Sequence, residues 1–222
     1  MRRPGPHVVR RVMRQHLTYL DRHALRDLHD AVRTIEEVRL PGSVLEAGCA
    51  LGGSAIVMAS AKSPDRPMYV YDVFGMIPPP SKADGEDVQE RYRVIASGTS
   101  PGIRGDRYYG YEPDLLSRVV DSFNRFELEP ATHSISFVKG LFEETLYPPG
   151  PVALAHIDAD WYESVRICLQ RIAPQIVIGG RFVLDDYFMW SGCKRAVDEF
   201  LDRDSKFIPE ERTRLHLVRT AR

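Results

Sequence analysis

The chain of 222 residues contains only three cysteines, Cys49, Cys168 and Cys193, far apart and without CxxC spacing. That pattern excludes a zinc knuckle and supplies no disulfide framework, so all three are read as reduced packing residues. Excess charge is also lacking: the formal net charge is -1, and only five of the 30 basic residues are lysine. A protein that binds the phosphate backbone of a nucleic acid would carry a basic surplus, and none exists here. No apolar run approaches the roughly 20 residues that span a bilayer. The opening MRRPGPHVVRRV has charge but no apolar core of signal type behind it. A cytoplasmic protein with neither a membrane nor a nucleic-acid partner is therefore expected. Repeats and low-complexity tracts are missing too. What is present is 43% hydrophobic and 27% charged residues, a balance that excludes disorder and suffices for one packed domain.

Two amphipathic helices are predicted within residues 1–42, from Val9, Val12, Met13, Leu17 and Leu20, then Leu25, Leu28, Val32 and Ile35 at helical spacing. From residue 43 the pattern changes to short apolar runs, SVLEAGC, PMYVYDVF, SISFVKG, VALAHID and RFVLDD, alternating with helical stretches. Such alternation predicts a parallel sheet wound by helices. Val165, Cys168, Leu169 and Ile172 trace one helical stripe, expected to close at Pro174 and the Gly179-Gly180 pair. The final KFIPEERTRLHLVRT reads as two strands around a polar turn, which would make the sheet mixed. Residues 75–130 form a long, largely polar excursion with Pro78-Pro79-Pro80 and Tyr108-Tyr109-Gly110-Tyr111, expected to contain a lid or substrate wall.

After the first strand comes Glu46-Ala47-Gly48-Cys49-Ala50-Leu51-Gly52-Gly53-Ser54, of the form ExGxxxGGS. Glycines there let the chain turn sharply and let a ligand approach the backbone, while Ser54 can cap the next helix. This is not the GxGxxG that seats a dinucleotide pyrophosphate on a helix N-terminus, so a nicotinamide enzyme is disfavoured. S-adenosylmethionine offers a sulfonium and an ammonium instead, and an acid at Glu46 suits a cation. Asp72, closing the second strand, is placed to accept hydrogen bonds from ribose hydroxyls. The alternative is a structural strand-to-helix turn with a chance acid downstream.

Asp158 and Asp160 follow the fourth strand run, and Asp185 and Asp186 close the fifth. Ligands of open α/β sheets bind at those strand ends, so the acids of two strands can converge beside the glycine-rich turn. Clustered carboxylates repel unless a cation sits among them, and an oxygen-only donor set suits Mg²⁺ better than zinc. Asp158, Asp185 and Asp186 are the candidate ligands. For Asp160, capping of the following helix or cofactor contact weighs as much as direct ligation. His156 is read as a hydrogen-bonded sheet residue in preference to a base. Trp161, Tyr162, Phe188, Met189 and Trp190 either wall an acceptor or pack loops, and Tyr108, Tyr109 and Tyr111 are candidate lid contacts.

With these residues assembled, the stretch from about Val44 to Leu201 resembles the macrocin O-methyltransferase family. The resemblance rests on EAGCALGGS, YDVFGMIPPP, KGLFEETL, HIDADWYES and VLDDY followed by SGCKRAVDEF. It implies a Rossmann-like α/β fold of the class I methyltransferases, with a mixed, mainly parallel sheet of seven strands in a single domain that carries an N-terminal helical extension. It also implies Mg²⁺-dependent methyl transfer from S-adenosylmethionine to a hydroxyl of a small natural product, a sugar or a phenol. Carried over residue by residue, it places the metal on Asp158, Asp185 and Asp186, with Asp158 also the proton acceptor. Cofactor contacts fall on Glu46, Gly48, Ser54 and Asp72, and on Lys139 and Gly140 beside the adenine. Homodimers or larger assemblies are expected as well. Two other readings stay open. A DxD-type Mg²⁺-dependent phosphatase would use Asp158-Ala159-Asp160, but leaves EAGCALGGS without a purpose. A non-catalytic protein that binds S-adenosylmethionine would not need the clustered acids.

Overall fold

The computed structural model describes residues 7–221. The first six residues of the expected helical extension, and the charged start of MRRPGPHVVRRV, lie outside the described residues. The chain opens with α1 (His7–Arg14) and α2 (Arg22–Glu37), followed by β1 (Ser43–Ala47), α3 (Gly53–Ala61) and β2 (Met68–Asp72). Next come α4 (Glu86–Ala96), α5 (Leu115–Arg125), β3 (Ile135–Lys139), the single turn α6 (Phe142–Thr145) and β4 (Val152–Ile157). It ends with α7 (Tyr162–Ile172), β5 (Ile176–Leu184), α8 (Ser191–Arg203), β6 (Phe207–Glu211) and β7 (Leu215–Arg219).

The seven strands form one sheet in the order β3-β2-β1-β4-β5-β7-β6. β1 to β5 pair in parallel, and the terminal hairpin inserts β7 antiparallel to both β5 and β6. Helices cover both faces, so β1 and β4 are buried at every position, as parallel strands between two helical layers must be. Alternation sends Val44 to the layer of α1, α2, α3 and α5, and Leu45 and Ala47 to that of α7 and α8. All three cysteines are free and buried. Among the described residues no helix is long and apolar enough to cross a membrane.

The N-terminal helices belong to the core. Leu25, Leu28, Val32 and Ile35 of α2 are at most 2% exposed. At about 1.5–3 kcal/mol for each buried aliphatic side chain, that stripe holds α2 by up to about 6–12 kcal/mol. Asp21 starts the helix by accepting the amides of His23 and Ala24.

Two sequence expectations need correction. The 75–130 stretch is not mainly loop: it holds α4 and α5, and α5 is the crossover between β2 and β3, with Leu115, Val119 and Phe123 fully buried. Its apolar stripe is narrow and polar residues surround it, so it read as excursion. Gly179-Gly180 does not close a helix either. α7 ends at Ile172, a short turn with Pro174 follows, and the glycines lie inside β5, where the β4–β5 register shifts between Val152 and Leu154. A Cβ at Gly180 would meet the Ala153 carbonyl oxygen at 2.8 Å, so the irregular pairing requires glycine there.

Candidate active site

The order in which strands are added to the sheet reverses at the neighbouring parallel strands β1 and β4, which makes their C-terminal ends the switch point where open α/β sheets bind ligands. Gly48 leaves β1 at φ +84° and donates its amide to the Tyr71 carbonyl. The Asp72 carboxylate accepts the amides of Cys49 at 2.7 Å and Phe74 at 2.6 Å, so the acid that ends β2 also braces the glycine-rich turn. Burial pushes the Asp72 pKa up, against the opposing pull of these amides. Gly48 and Asp72 line a cleft together with Leu141, Phe142 and Glu143.

Other residues expected around the cofactor are placed differently. Ser54 does not cap α3: Gly52 holds the N-cap position without a side-chain hydrogen bond, and Ser54 lies buried within the first turn. At Gly53 the close approach is made by the chain itself. The Gly53 amide donates to the Leu17 carbonyl at 2.9 Å, and a Cβ would meet that oxygen at 2.5 Å. Glu46 is fully buried, with Oε1 2.9 Å from His156 Nδ1 and Oε2 unpartnered among the described residues. Lys139 and Gly140 sit at the end of β3, where the Gly140 amide donates to the Asp72 carbonyl. The cleft is lined one turn further on, by Leu141 to Glu143, still within the block KGLFEETL.

Carboxylate oxygens of Asp158, Asp160 and Asp186 lie within 4.8 Å of one another. Asp158 continues the β1–β4 ladder by donating its amide to the Ala47 carbonyl, and Asp185 does the same toward Ile157. Asp160, at φ +52°, turns back so that its amide donates to Asp186 Oδ2 at 3.1 Å. Asp160 does not cap α7, because Tyr162 takes its amide partner from Asp84. Asp185 is held by Arg214, which reaches in from the β6–β7 turn with Nε 2.5 Å from Oδ1.

Burial, reinforced by the neighbouring acids, drives the pKa values of Asp158 and Asp186 well above the carboxylate range and that of Asp160 to about 6. Such a cluster is electrostatically incomplete without a cation. Octahedral Mg²⁺ at about 2.0–2.1 Å sets ligand oxygens about 3–4 Å apart, so modest contraction of the triad would seat it, and hard oxygen donors are the right chemistry.

A second cleft is lined by Asp158, Asp160, Asp185 and Asp186. Its walls include Trp161 and Trp190, edge to face at 6.1 Å, together with Tyr19, Tyr108, Met189 and Arg91. The two clefts share Ala50, Ile77, Tyr109, Asp158 and Asp160, so they meet at two of the three clustered acids. Of the other aromatics, Tyr111 packs with its hydroxyl donating to the Ile95 carbonyl, Tyr162 donates to Glu199, and Phe188 is exposed. Arg91, Arg214, Tyr19 and Asp84 were not singled out by sequence reasoning; none stands in a motif, and each reaches the site from a distant segment.

The fold is that of the class I methyltransferases. In structural comparison the chain superposes on the O-methyltransferase NovP with a TM-score of 0.74 at 25% identity, covering 92% of this chain and 82% of that one. The macrocin-O-methyltransferase (TylF) family model matches residues 11–217, and the chain belongs to that family. Relatives include demethyldecarbamoylnovobiocin O-methyltransferase of Streptomyces niveus, 30% identical over 79% of this chain. Another is 8-demethyl-8-(2,3-dimethoxy-alpha-L-rhamnosyl)-tetracenomycin-C 4'-O-methyltransferase of Streptomyces olivaceus, 29% identical over 81% of this chain. The chain spans 64% and 65% of the length of these two relatives.

Proposed function

We propose that the protein is an S-adenosylmethionine-dependent, Mg²⁺-dependent O-methyltransferase acting on a sugar or phenol hydroxyl of a small natural product. The observation that carries this reading is the meeting of the two clefts over Asp158 and Asp160. One cleft has the glycine-rich turn and Asp72, a set suited to a nucleoside, and the other has an aromatic wall suited to an apolar or sugar-bearing acceptor. Family membership and relatives that methylate natural products support the same chemistry.

In this reading Asp72 takes the ribose hydroxyls and Gly48 allows the cofactor to lie against the backbone. Leu141 and Phe142 pack the base next to Lys139 and Gly140, and Ser54 supports the turn from within α3. Glu46 Oε2, an acceptor without a partner among the described residues, takes the ammonium through a bridging water. Asp158 and Asp186 form the fixed pair of a metal site. Asp160 completes it as the side chains stand, and Asp185 joins when Arg214 releases it. Bound there, Mg²⁺ would favour the alkoxide form of a neighbouring hydroxyl. Asp158 accepts the acceptor's proton, the tryptophan wall excludes water, and the residues of both clefts hold donor and acceptor in line. A cytoplasmic homodimer or larger homo-oligomer is part of the same proposal.

The test is a mass-shift screen of glycosylated and phenolic metabolites for gain of one methyl, with S-adenosylmethionine and Mg²⁺ supplied. Turnover that disappears on chelation and in Asp158→Ala is expected, as is a rise in melting temperature with S-adenosylhomocysteine. No shift with the nucleoside, together with phosphate release from an aryl phosphate, would turn the reading toward the phosphatase.

A further inference from the structure

Both helices that follow the acidic loops begin without a cap of their own. Trp161 and Trp190 occupy the N-cap positions of α7 and α8, and neither side chain accepts a hydrogen bond from its helix. The first amide of each helix is taken by an acid from the 81–87 segment, far away in the chain. Asp84 Oδ1 accepts the Tyr162 amide at 2.7 Å, while its Oδ2 accepts the amide and hydroxyl of Ser81. Asp87 accepts the Ser191 amide at 2.9 Å and the Ser191 hydroxyl at 2.5 Å. Burial opposes ionisation of Asp87, but the hydrogen bonds from Ser191 outweigh it and hold the pKa below the ordinary value. Asp84 is 8% exposed.

The fit depends on two glycines. A Cβ at Gly192 would stand 2.1 Å from Asp84 Oδ1 and 2.9 Å from the Tyr162 amide nitrogen. One at Gly85 would stand 2.4 Å from Ser191 Oγ. Further contacts tie down this segment and the residues just before it: Trp161 Nε1 donates to the Pro78 carbonyl at 2.9 Å, and Arg195 donates to the Ala83 carbonyl at 3.1 Å. Each capped helix directly follows a loop that carries the acids, Asp158-Ala159-Asp160-Trp161 on one side and Asp185 to Trp190 on the other.

We propose that Asp84 and Asp87 are positioning residues: by capping α7 and α8 from one short segment, they set the register of the Asp158–Asp160 loop against the Asp185–Asp186 loop. An acid suits the task because a carboxylate satisfies an exposed helix amide and complements the positive end of the helix dipole. Because both caps come from one segment, the two loops cannot shift independently while it is seated. The effect on turnover rests on the methyltransferase reading; the effect on loop register does not.

The chain's two tryptophans, Trp161 and Trp190, stand at the two N-caps and face each other, so their emission reports the register directly. In Asp84→Ala the emission is expected to shift and the Tyr162 amide to exchange faster, with far-UV circular dichroism unchanged. Asp84→Asn keeps an acceptor oxygen for Tyr162 and should restore most of the signal. Gly192→Ala retains Asp84 but displaces its carboxylate from the Tyr162 amide, and should reproduce Asp84→Ala. Asp87→Ala, at an exposed position, provides a variant that folds in any case and should give the same shift in weaker form. In an active enzyme kcat should fall about tenfold or more in Asp84→Ala, with S-adenosylhomocysteine affinity held within about twofold. Wild-type emission in folded Asp84→Ala and Asp87→Ala would overturn the proposal. So would full kcat in a variant whose emission has shifted. A wild-type protein that neither binds S-adenosylhomocysteine nor transfers methyl would remove the methyltransferase reading and leave the emission test standing.

Discussion

Replacing Gly48 with alanine tests the joint between the nucleoside turn and the acid loop. Gly48 has φ +84°, and a Cβ built there stands 1.8 Å from the Asp158 carbonyl oxygen and 2.8 Å from its carbonyl carbon. The left-handed conformation costs an alanine about 1–2 kcal/mol, and forced overpacking adds about 1–3 kcal/mol. Destabilisation of about 2–5 kcal/mol follows, which for a domain of this size lowers Tm by roughly 4–20 °C. Bringing that carbonyl out even to 3.0 Å, the closest approach a Cβ tolerates, moves it by about 1.2 Å. A displacement of that size at a reacting centre costs on the order of 100-fold in turnover. Thermal denaturation, calorimetric titration with S-adenosylhomocysteine and methyl-transfer kinetics on one preparation read all three effects. A Gly48→Ala protein with Tm within about 2 °C of wild type and unchanged nucleoside affinity would refute the reasoning, since it would mean that Asp158 does not pack on the turn as described.

The remaining predictions concern the ligand set, acid stability and the N-terminal helices. Mn²⁺ titration followed by paramagnetic resonance should weaken more in Asp160→Asn than in Asp185→Asn if Arg214 keeps Asp185 occupied; the reverse order would show that Asp185 is the third ligand. Asp27 on α2 is opposed by burial, but His216, Thr213 and Arg212 hold its pKa at about 2. Its stabilisation is therefore complete above about pH 4 and is lost as pH falls toward 2, amounting to about 1–2 kcal/mol after allowance for solvent screening. The difference in stability between wild type and Asp27→Asn should shrink across that window, and a constant difference would contradict the assignment. Leu28→Ala should cost about 2–5 kcal/mol in urea denaturation, because α2 is part of the core; a loss below about 1 kcal/mol would make the helix peripheral.

Periodicity alone was enough to lay out the sheet. Apolar runs of strand length alternating with helical stripes located all five parallel strands, and KFIPEERTRLHLVRT gave the antiparallel hairpin. The glycine-rich turn and the acids could be assigned to one end of the sheet because parallel strands all present their C-terminal ends on the same side. Periodicity reports only whether a residue faces a core, however, and it could not choose partners. Gly53 serves the Leu17 carbonyl, Asp185 is claimed by Arg214 from 29 positions away, and the Tyr162 amide is capped by Asp84 from 78 positions away. Which three of four neighbouring aspartates share a site depends on the positive φ of Asp160 and on a hairpin turn that reaches across the strand ends. The sequence determined the fold and the end of the sheet where chemistry would occur, because local periodicity and strand direction dictate both. The tertiary structure decided which acids meet, which are neutralised and what holds their loops in register, because contacts of a few ångströms between remote segments exist only once the layers have packed.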